Sequence, residues 1–489
     1  MTSPADVRSG FSTLNAFCIR RTRINAASLR DKRHGEIAMP EKMIIDALKH
    51  EAHVITDEEN VDVLLQQIGD ASIVLLGEAT HGTEEFYRIR ARISERLITE
   101  RGFDAIAVEA DWPDALRVNR YIGATPSAGA GARDKSAEEA LQGFQRFPLW
   151  MWRNTVVVDL INRLRTHNEH ADPASKAGFF GLDLYSLRSS MDAVVHYLSR
   201  VDPDAAKQAR ARYSCFDHFA EDPQRYGYAA SFGMKKDCEE EVVRQLVALS
   251  EEAGQNLPAD DAAAMDELFY AQQNARVAAN AESYYRAMFL GRNESWNQRD
   301  SHMAETLDAL REHIGRQKGR TAKIVVWAHN SHLGDARATE MGDHGELNLG
   351  QLVRERYGPE QSFLVGFTTH TGTVTAASEW DAPAELKRVR PSMPDSVERL
   401  FHDLDIGNFL LPIRNNKNVI RALEGRRLER AIGVIYLPES ERLSHYFDTD
   451  LARQFDAVIH IDETTALHPL DLTMHWRHDE IPDTYPSGM

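Results

Sequence analysis

Cysteine is scarce in this chain: Cys18, Cys215 and Cys238 are the only three, and no two of them stand in a C-x-x-C spacing. That usage argues against a disulfide framework and against a structural zinc site, and it points to a reducing cytoplasm. Positive charge is also in deficit, with 57 Lys and Arg against 75 Asp and Glu and a formal net charge of −18. A generally acidic surface disfavours nucleic acid and anionic membranes as partners. No uninterrupted apolar run reaches the roughly 18 residues of a membrane span. The N-terminus lacks the apolar core of a secretory signal.

Several common catalytic spellings are missing too. There is no G-x-S-x-G elbow, the nearest stretch being "TPSAG", and neither G-x-x-x-x-G-K-[ST] nor H-E-x-x-H occurs. No G-x-G-x-x-G follows a strand-like run. Serine hydrolases, P-loop NTPases, zincins and dinucleotide enzymes are thereby disfavoured, and no cofactor is implied.

Residues 1–40 form an Arg-rich stretch with little apolar period, including Arg8, Arg20, Arg21, Arg23 and Arg30. They read as a disordered extension, or as residues ahead of a later start at Met39 or Met43, with a transit-like peptide as the alternative. Residues 41–489 read as one α/β domain. Continuous apolar runs stand at 71–78, 104–111, 177–184, 322–330, 362–370, 430–437 and 455–462, as expected for strands covered on both faces. After His81, Phe86, Ile89, Ile93 and Leu97 recur at helical spacing and Gly102 follows as a stop. Strand, helix and strand within about 40 residues make a βαβ unit with parallel strands. The expected architecture is a mainly parallel central sheet flanked by helices, a three-layer α/β/α fold, with a mostly helical insertion at about 187–320. The small-residue stretch 123–139, "GATPSAGAGARDKSAEE", reads as a surface loop.

In an open parallel sheet, ligands bind beyond the carboxyl ends of the strands. Those ends carry Glu78, with His81 in the turn that follows, then Glu109 and Asp111, then Asp183, and lastly His329 and His332 in "WAHNSH". Arg90 shares or flanks the apolar stripe of the first helix, so it needs an anionic partner, which Glu78 or Glu109 can supply. Plain structural roles exist for some of these residues: Glu78 favours a helix N-terminus, His81 packs in a turn, and Asp183 caps the next helix. Glu109 is harder to explain that way, because a desolvated carboxylate costs several kcal/mol unless paired. Two glutamates, several histidines and an arginine suit a neutral His that activates water, held by a carboxylate, with Arg90 or a second His on the oxyanion. A divalent metal on His81, Glu78, Glu109 and His332 is the alternative, and a non-catalytic small-molecule binder is a third reading.

The stretches "LLGEATHGTEEFYRIRARI", "IAVEADW", "GLDLYS", "ESWNQRDSHMAETL" and "VVWAHNSHLGDAR", in that order, resemble the erythromycin esterase family, a group of bacterial hydrolases that includes enzymes opening macrolide lactone rings. The likeness runs from about residue 45 to 470. It implies metal-independent hydrolysis of a small-molecule carboxylic ester or lactone, without a Ser nucleophile, in which the His of G-E-x-[ST]-H-G activates water. Matched by position, that His is His81 and the Glu is Glu78, while Arg90, Glu109, His329 and His332 fall on the other active-site positions. The resemblance also brings Trp296, Arg299 and Asp300 to the border of the cleft. Asp183, Tyr185 and Tyr285, with Tyr284, are expected on the substrate side.

Overall fold

Apolar continuity decides which segments enter the sheet. The computed structural model describes residues 39–472 apart from 56–60, 125–133, 220–222, 234–236 and 253–260. The Arg-rich stretch up to residue 38 and most of the small-residue loop lie outside the described residues. The strands, in chain order, are β1 (His53–Val54), β2 (Ile73–Leu76), β3 (Ala105–Asp111), β4 (Gly178–Asp183), β5 (Ile324–Trp327), β6 (Ser362–Ala376), β7 (Glu385–Val389), β8 (Phe409–Pro412), β9 (Arg427–Arg430), β10 (Tyr446–Thr449) and β11 (Ala457–Thr464). Nine of them form one sheet in the order β1-β8-β11-β6-β2-β5-β3-β4, with β7 on β6; β9 and β10 pair separately. The six strands from β11 to β4 in that order are mutually parallel, while β8, β1 and β7 run antiparallel to their neighbours.

Every residue of β2, β3, β4 and β5 is buried. Successive side chains divide between two cores, as a two-residue period demands. Val74, Leu76, Ile106, Val108, Val325 and Trp327 pack with the helix Glu84–Arg101 and its neighbours. Ile73, Leu75, Ala105, Ala107, Ile324 and Val326 pack on the other face with the helix Arg292–Lys318. Helices on both faces of a mostly parallel sheet make the three layers that were expected. Each large apolar side chain removed from water contributes about 1.5–3 kcal/mol, so both faces are strongly held.

From β2 the chain moves past β5's position to β3 and β4, then returns to place β5 between β2 and β3 and β6 on the far side of β2. The crevice of an open α/β sheet lies where strand order reverses in this way. Here it lies over the ends of β2, β5 and β3.

Two expectations need correction. The run 430–437 is not a strand of the sheet: only Arg430 belongs to a strand, while Ile432 and Ile435 make single bridges to Thr80 and Ala377. Its apolar residues are buried instead by packing, Ile432 and Tyr436 lying with Val374, Ala376 and Val389. Conversely, β8 was not anticipated, because its short apolar stretch closes on Pro412. Cysteine usage also reads differently in three dimensions. Cys215 and Cys238 are joined in a disulfide across 23 residues, with Cα atoms 6.0 Å apart. Helix packing brings them together, and a spacing rule cannot see that.

Between β4 and β5 lie the helices Leu187–Val201, Pro203–Tyr213, Glu239–Glu252, Ala262–Ala287 and Arg292–Lys318, with shorter turns among them. Several share a core of their own around Leu198, Tyr226, Ala278 and Tyr285. Among the described residues no helix is long and apolar enough to cross a membrane.

Candidate active site

The turn after β2 is tight because its glycines have no room for a side chain. A Cβ on Gly77 would stand 2.2 Å from Asn330 Oδ1, and one on Gly82 would stand 1.8 Å from the Thr375 carbonyl oxygen. The close fit holds Glu78 and His81 in one buried unit. His81 Nδ1 meets Glu78 Oε1 at 2.9 Å, and Arg90 donates to Glu78 Oε2 at 2.5 Å. Arg90 is 1 % exposed and lies between the rings of Tyr87 and Trp327, at 4.5 and 4.7 Å. Its partner is therefore Glu78 and not Glu109, and it stands behind the carboxylate, outside the cavity lining. That position removes Arg90 as an oxyanion donor.

His329 follows β5 and faces His81, with ring centroids 5.0 Å apart. The backbone N–H of Ser331 donates to His329 Nδ1 at 3.2 Å, and Ser331 Oγ lies 2.9 Å from the same nitrogen. An Nδ1 that accepts leaves the proton on Nε2 in the neutral ring. Burial, then His81 beside it, pushes the His329 pKa down to about 3, against the pull of Glu109 and the Ala79 carbonyl. The ring is neutral at pH 7, and its buried Nε2–H has the Ala79 carbonyl nearby but makes no full hydrogen bond. Such a donor suits a developing oxyanion.

Asn330 next to it ties the two strand ends to β6. Its N–H donates to the Glu78 carbonyl at 2.8 Å, and its amide exchanges hydrogen bonds with Phe367 and reaches Glu429 Oε1 at 3.2 Å. Burial, aided by Glu398, pushes Glu429 up to about 8. The folded chain thus keeps a proton that the unfolded chain releases above the ordinary carboxyl pKa, so this contribution to stability is full below about 4.5 and fades as pH rises through about 8. Glu429→Gln should therefore gain stability over wild type by a few kcal/mol on going from pH 5 to pH 8. Urea denaturation of both proteins at the two values checks this; parallel losses would refute it.

Arg299 organises the other side of the site. Its Nε and one terminal nitrogen donate to the two oxygens of Asp183 at 3.0 and 2.6 Å, the latter nitrogen also to Glu109 Oε1 at 2.6 Å, and the other terminal nitrogen to His332 Nε2 at 3.0 Å. Glu109 Oε2 accepts the His329 N–H at 2.9 Å. Burial alone would raise the Glu109 pKa, but His332, Arg299 and His81 hold it well below the usual carboxylate range. Burial likewise opposes ionisation of Asp183, and Arg299 overcomes it. Asp183 is not the expected cap, since the next helix starts at Leu187 behind Ser186.

His332 Nδ1 lies 2.9 Å from both oxygens of Asp300, and its ring stacks on Trp296 at 4.4 Å. Burial lowers the pKa of His332, but Asp300 and Glu109 outweigh it and raise the pKa. Asp300 also accepts the Leu349 N–H at 2.8 Å and lies outside the cavity lining. Its part is to orient His332, whereas Trp296 reaches the cavity. Tyr185 lines it too; its hydroxyl meets that of Tyr284 at 3.1 Å, and Tyr285 donates to the Tyr185 carbonyl at 3.3 Å. Tyr285 is buried and is not a cavity residue, so it supports Tyr185.

These groups open on a cavity of about 580 Å³ lined by His81, Glu109, Asp183, Arg299, His329 and His332, within the usual size for a small-molecule site. Glu78 and Arg90 sit one layer below. Among the described residues no three His, Cys, Asp or Glu side chains are grouped so as to hold a metal ion. In the alternative metal set, Glu78 and Glu109 already carry guanidinium partners. Arg146 and Asp114, which also line the cavity, were not singled out in the sequence. Arg146 lies in "GFQRFPLW", where the only signal was an arginine among aromatics in a non-periodic stretch.

A family model described as erythromycin esterase matches residues 98–464, most of the chain. The chain belongs to the erythromycin esterase family. The matched range begins after the turn that holds Glu78 and His81 and after Arg90, so those three rest on the geometry above. A curated relative of the family member described here, the putative hydrolase YbfO of Bacillus subtilis, is 23% identical over 412 residues, 80% of this chain and 84% of that protein. Erythromycin esterase type I of Escherichia coli is 22% identical over 390 residues, 70% of this chain and 90% of its own. Among solved structures, one described as a succinoglycan biosynthesis protein aligns with a TM-score of 0.70 at 22% identity, covering 88% of this chain and 98% of its own. A mutant of the erythromycin esterase EreC in its open conformation aligns with a TM-score of 0.61 at 18% identity, covering 85% and 96%. At these identities the structures establish the shared fold. At the level the erythromycin esterase family sets, the chain is a hydrolase.

Proposed function

We propose that this protein hydrolyses a carboxylic ester or lactone by direct attack of water, with His81 as general base. The observation that carries this is the buried pairing of His81 Nδ1 with Glu78 at 2.9 Å, beside a neutral His329 at 5.0 Å across the cavity. With Nδ1 engaged, Nε2 is the nitrogen of His81 left to take a proton from water. The hydroxyl adds to the acyl carbon while Glu78, itself held by Arg90, stabilises the imidazolium. His329 Nε2–H donates to the oxyanion, and its position is set by Glu109 on its backbone and Ser331 on its ring. When the acyl C–O bond breaks, the proton on His81 passes to the departing alkoxide oxygen, giving an acid and an alcohol, or one ring-opened hydroxy acid from a lactone.

The test is mass spectrometry of a panel of esters and lactones, macrolides among them, after incubation with the protein in the presence and absence of a chelator. The expected product carries the mass of one added water and forms at the same rate in both. Turnover abolished by chelation and restored by a divalent ion would replace this mechanism with the metal-dependent one.

A further inference from the structure

One wall of the cavity holds more negative charge than its hydrogen bonds consume. Asp111 and Asp114 flank the start of the helix Trp112–Tyr121, and facing them runs the segment 144–152, which lends Phe144, Arg146, Phe147 and Trp152 to the lining. Arg146 donates to Asp111 Oδ2 at 2.9 Å, but Asp111 Oδ1 is buried in the cavity wall without a hydrogen-bond partner, and the residue is 5 % exposed. Both guanidinium groups among the described lining residues are already committed, Arg299 to Asp183 and Glu109 and Arg146 to Asp111. Burial, then the neighbouring Asp111, pushes Asp114 up to about 7, outweighing the pull of Arg146 and Arg117.

Aromatic faces complete the wall. The Tyr185 ring lies 4.3 Å from the Arg146 guanidinium and 5.1 Å from that of Arg299, joining this wall to the floor where Arg299 meets Glu109. Phe144 packs on Trp152 at 6.0 Å and Phe147 on Trp380 at 5.0 Å. Carboxylates with an unfilled acceptor beside aromatic rings are the surroundings that bind ammonium groups.

We infer that the wall formed by Asp111, Asp114, Tyr185 and the aromatic residues of 144–152 is a subsite for a cationic amine carried by the ester or lactone substrate. The inference builds on the hydrolytic reading and names the substrate class within it. An ammonium there lies against Asp114 and beside the unpaired Oδ1 of Asp111, whereas a neutral substrate of the same shape leaves Asp114 desolvated and that oxygen still unpaired.

The experiment compares a choline ester with its neutral 3,3-dimethylbutyl isostere, together with the melting-temperature shift produced by tetramethylammonium. Wild-type protein should favour the cationic ester by at least about tenfold in kcat/KM, and Asp114→Asn should bring that ratio close to one. A merely structural lesion would lower both esters alike and leave the ratio unchanged. Hydrolysis of both esters at equal efficiency, or a preference that survives Asp114→Asn, overturns the subsite and leaves the hydrolytic reading standing. If neither ester is cleaved, stabilisation by tetramethylammonium in wild type but not in Asp114→Asn upholds the subsite and counts against ester hydrolysis. No cleavage with no shift overturns the subsite.

Discussion

Replacing His81 by Ala should lower kcat by about two to four orders of magnitude, the usual worth of a positioned general base. The loss follows from where the imidazole sits: it is a cavity residue whose Nδ1 is held by Glu78 while its Nε2 is left for water. His329 is a poor substitute, because burial and His81 push its pKa down to about 3 and its Nδ1 is turned to Ser331. His332 is tied to Asp300 and Arg299. Glu78→Gln should show a smaller loss, since an amide oxygen still accepts from Nδ1 but no longer stabilises the imidazolium. Free imidazole should restore part of the turnover of His81→Ala, which a collapsed site would not allow. Steady-state kinetics of the three proteins on any cleaved ester decides the matter, and wild-type activity in His81→Ala would end the proposed mechanism.

The second large effect belongs to Arg299. Its removal as Arg299→Met leaves Asp183, 2 % exposed, and Glu109, 5 % exposed, without the cation that both share. Breaking a buried ion pair from one side costs about 3–5 kcal/mol, and the floor of the cavity should lose its geometry together with its stability. Arg299→Lys should recover only part, because a single ammonium cannot match a fork that meets Asp183, Glu109 and His332 at once. Adding Asp183→Asn to Arg299→Met should regain stability, since it removes one of the stranded charges. Chemical denaturation of the single and double variants tests this directly. An Arg299→Met protein as stable as wild type would show that the network does not hold the floor.

Much of this arrangement was legible in the sequence because the strands are short, wholly apolar and end in charged residues. A carboxylate at the end of a buried strand has few explanations other than a partner or a site, and that reading puts Glu78, Glu109, Asp183 and the histidines on one rim. Depth was harder to read. Arg90 and His81 come from the same local stretch, yet one lies under Glu78 and the other on the cavity, a difference set by Tyr87 and Trp327 and not by spacing. Arg146 stayed hidden because its segment has no period and its meaning arises only where it meets Asp111 at the end of β3, and Asp114 because an acid in the first turn of an amphipathic helix reads as ordinary. The run 430–437 misled for the opposite reason, being apolar enough for a strand while its burial comes from packing over β6 and β7. The bridge between Cys215 and Cys238 is a fact of helix packing alone.

Tyr185, set between Arg146 and Arg299, marks a division of labour. On one side the hydrogen bonds that fix His81 and His329 come from the ends of β2, β3 and β5, and they inherit the stiffness of the sheet. On the other, Phe144, Trp150, Met151 and Trp152 belong to the core, but Arg146, Phe147 and Pro148 are only partly covered and tolerate change at lower cost. Such a molecule can alter what it admits by substitutions at 146–148 while the geometry of its floor stays intact, so relatives with the same floor and different walls are expected to share a reaction without sharing a substrate.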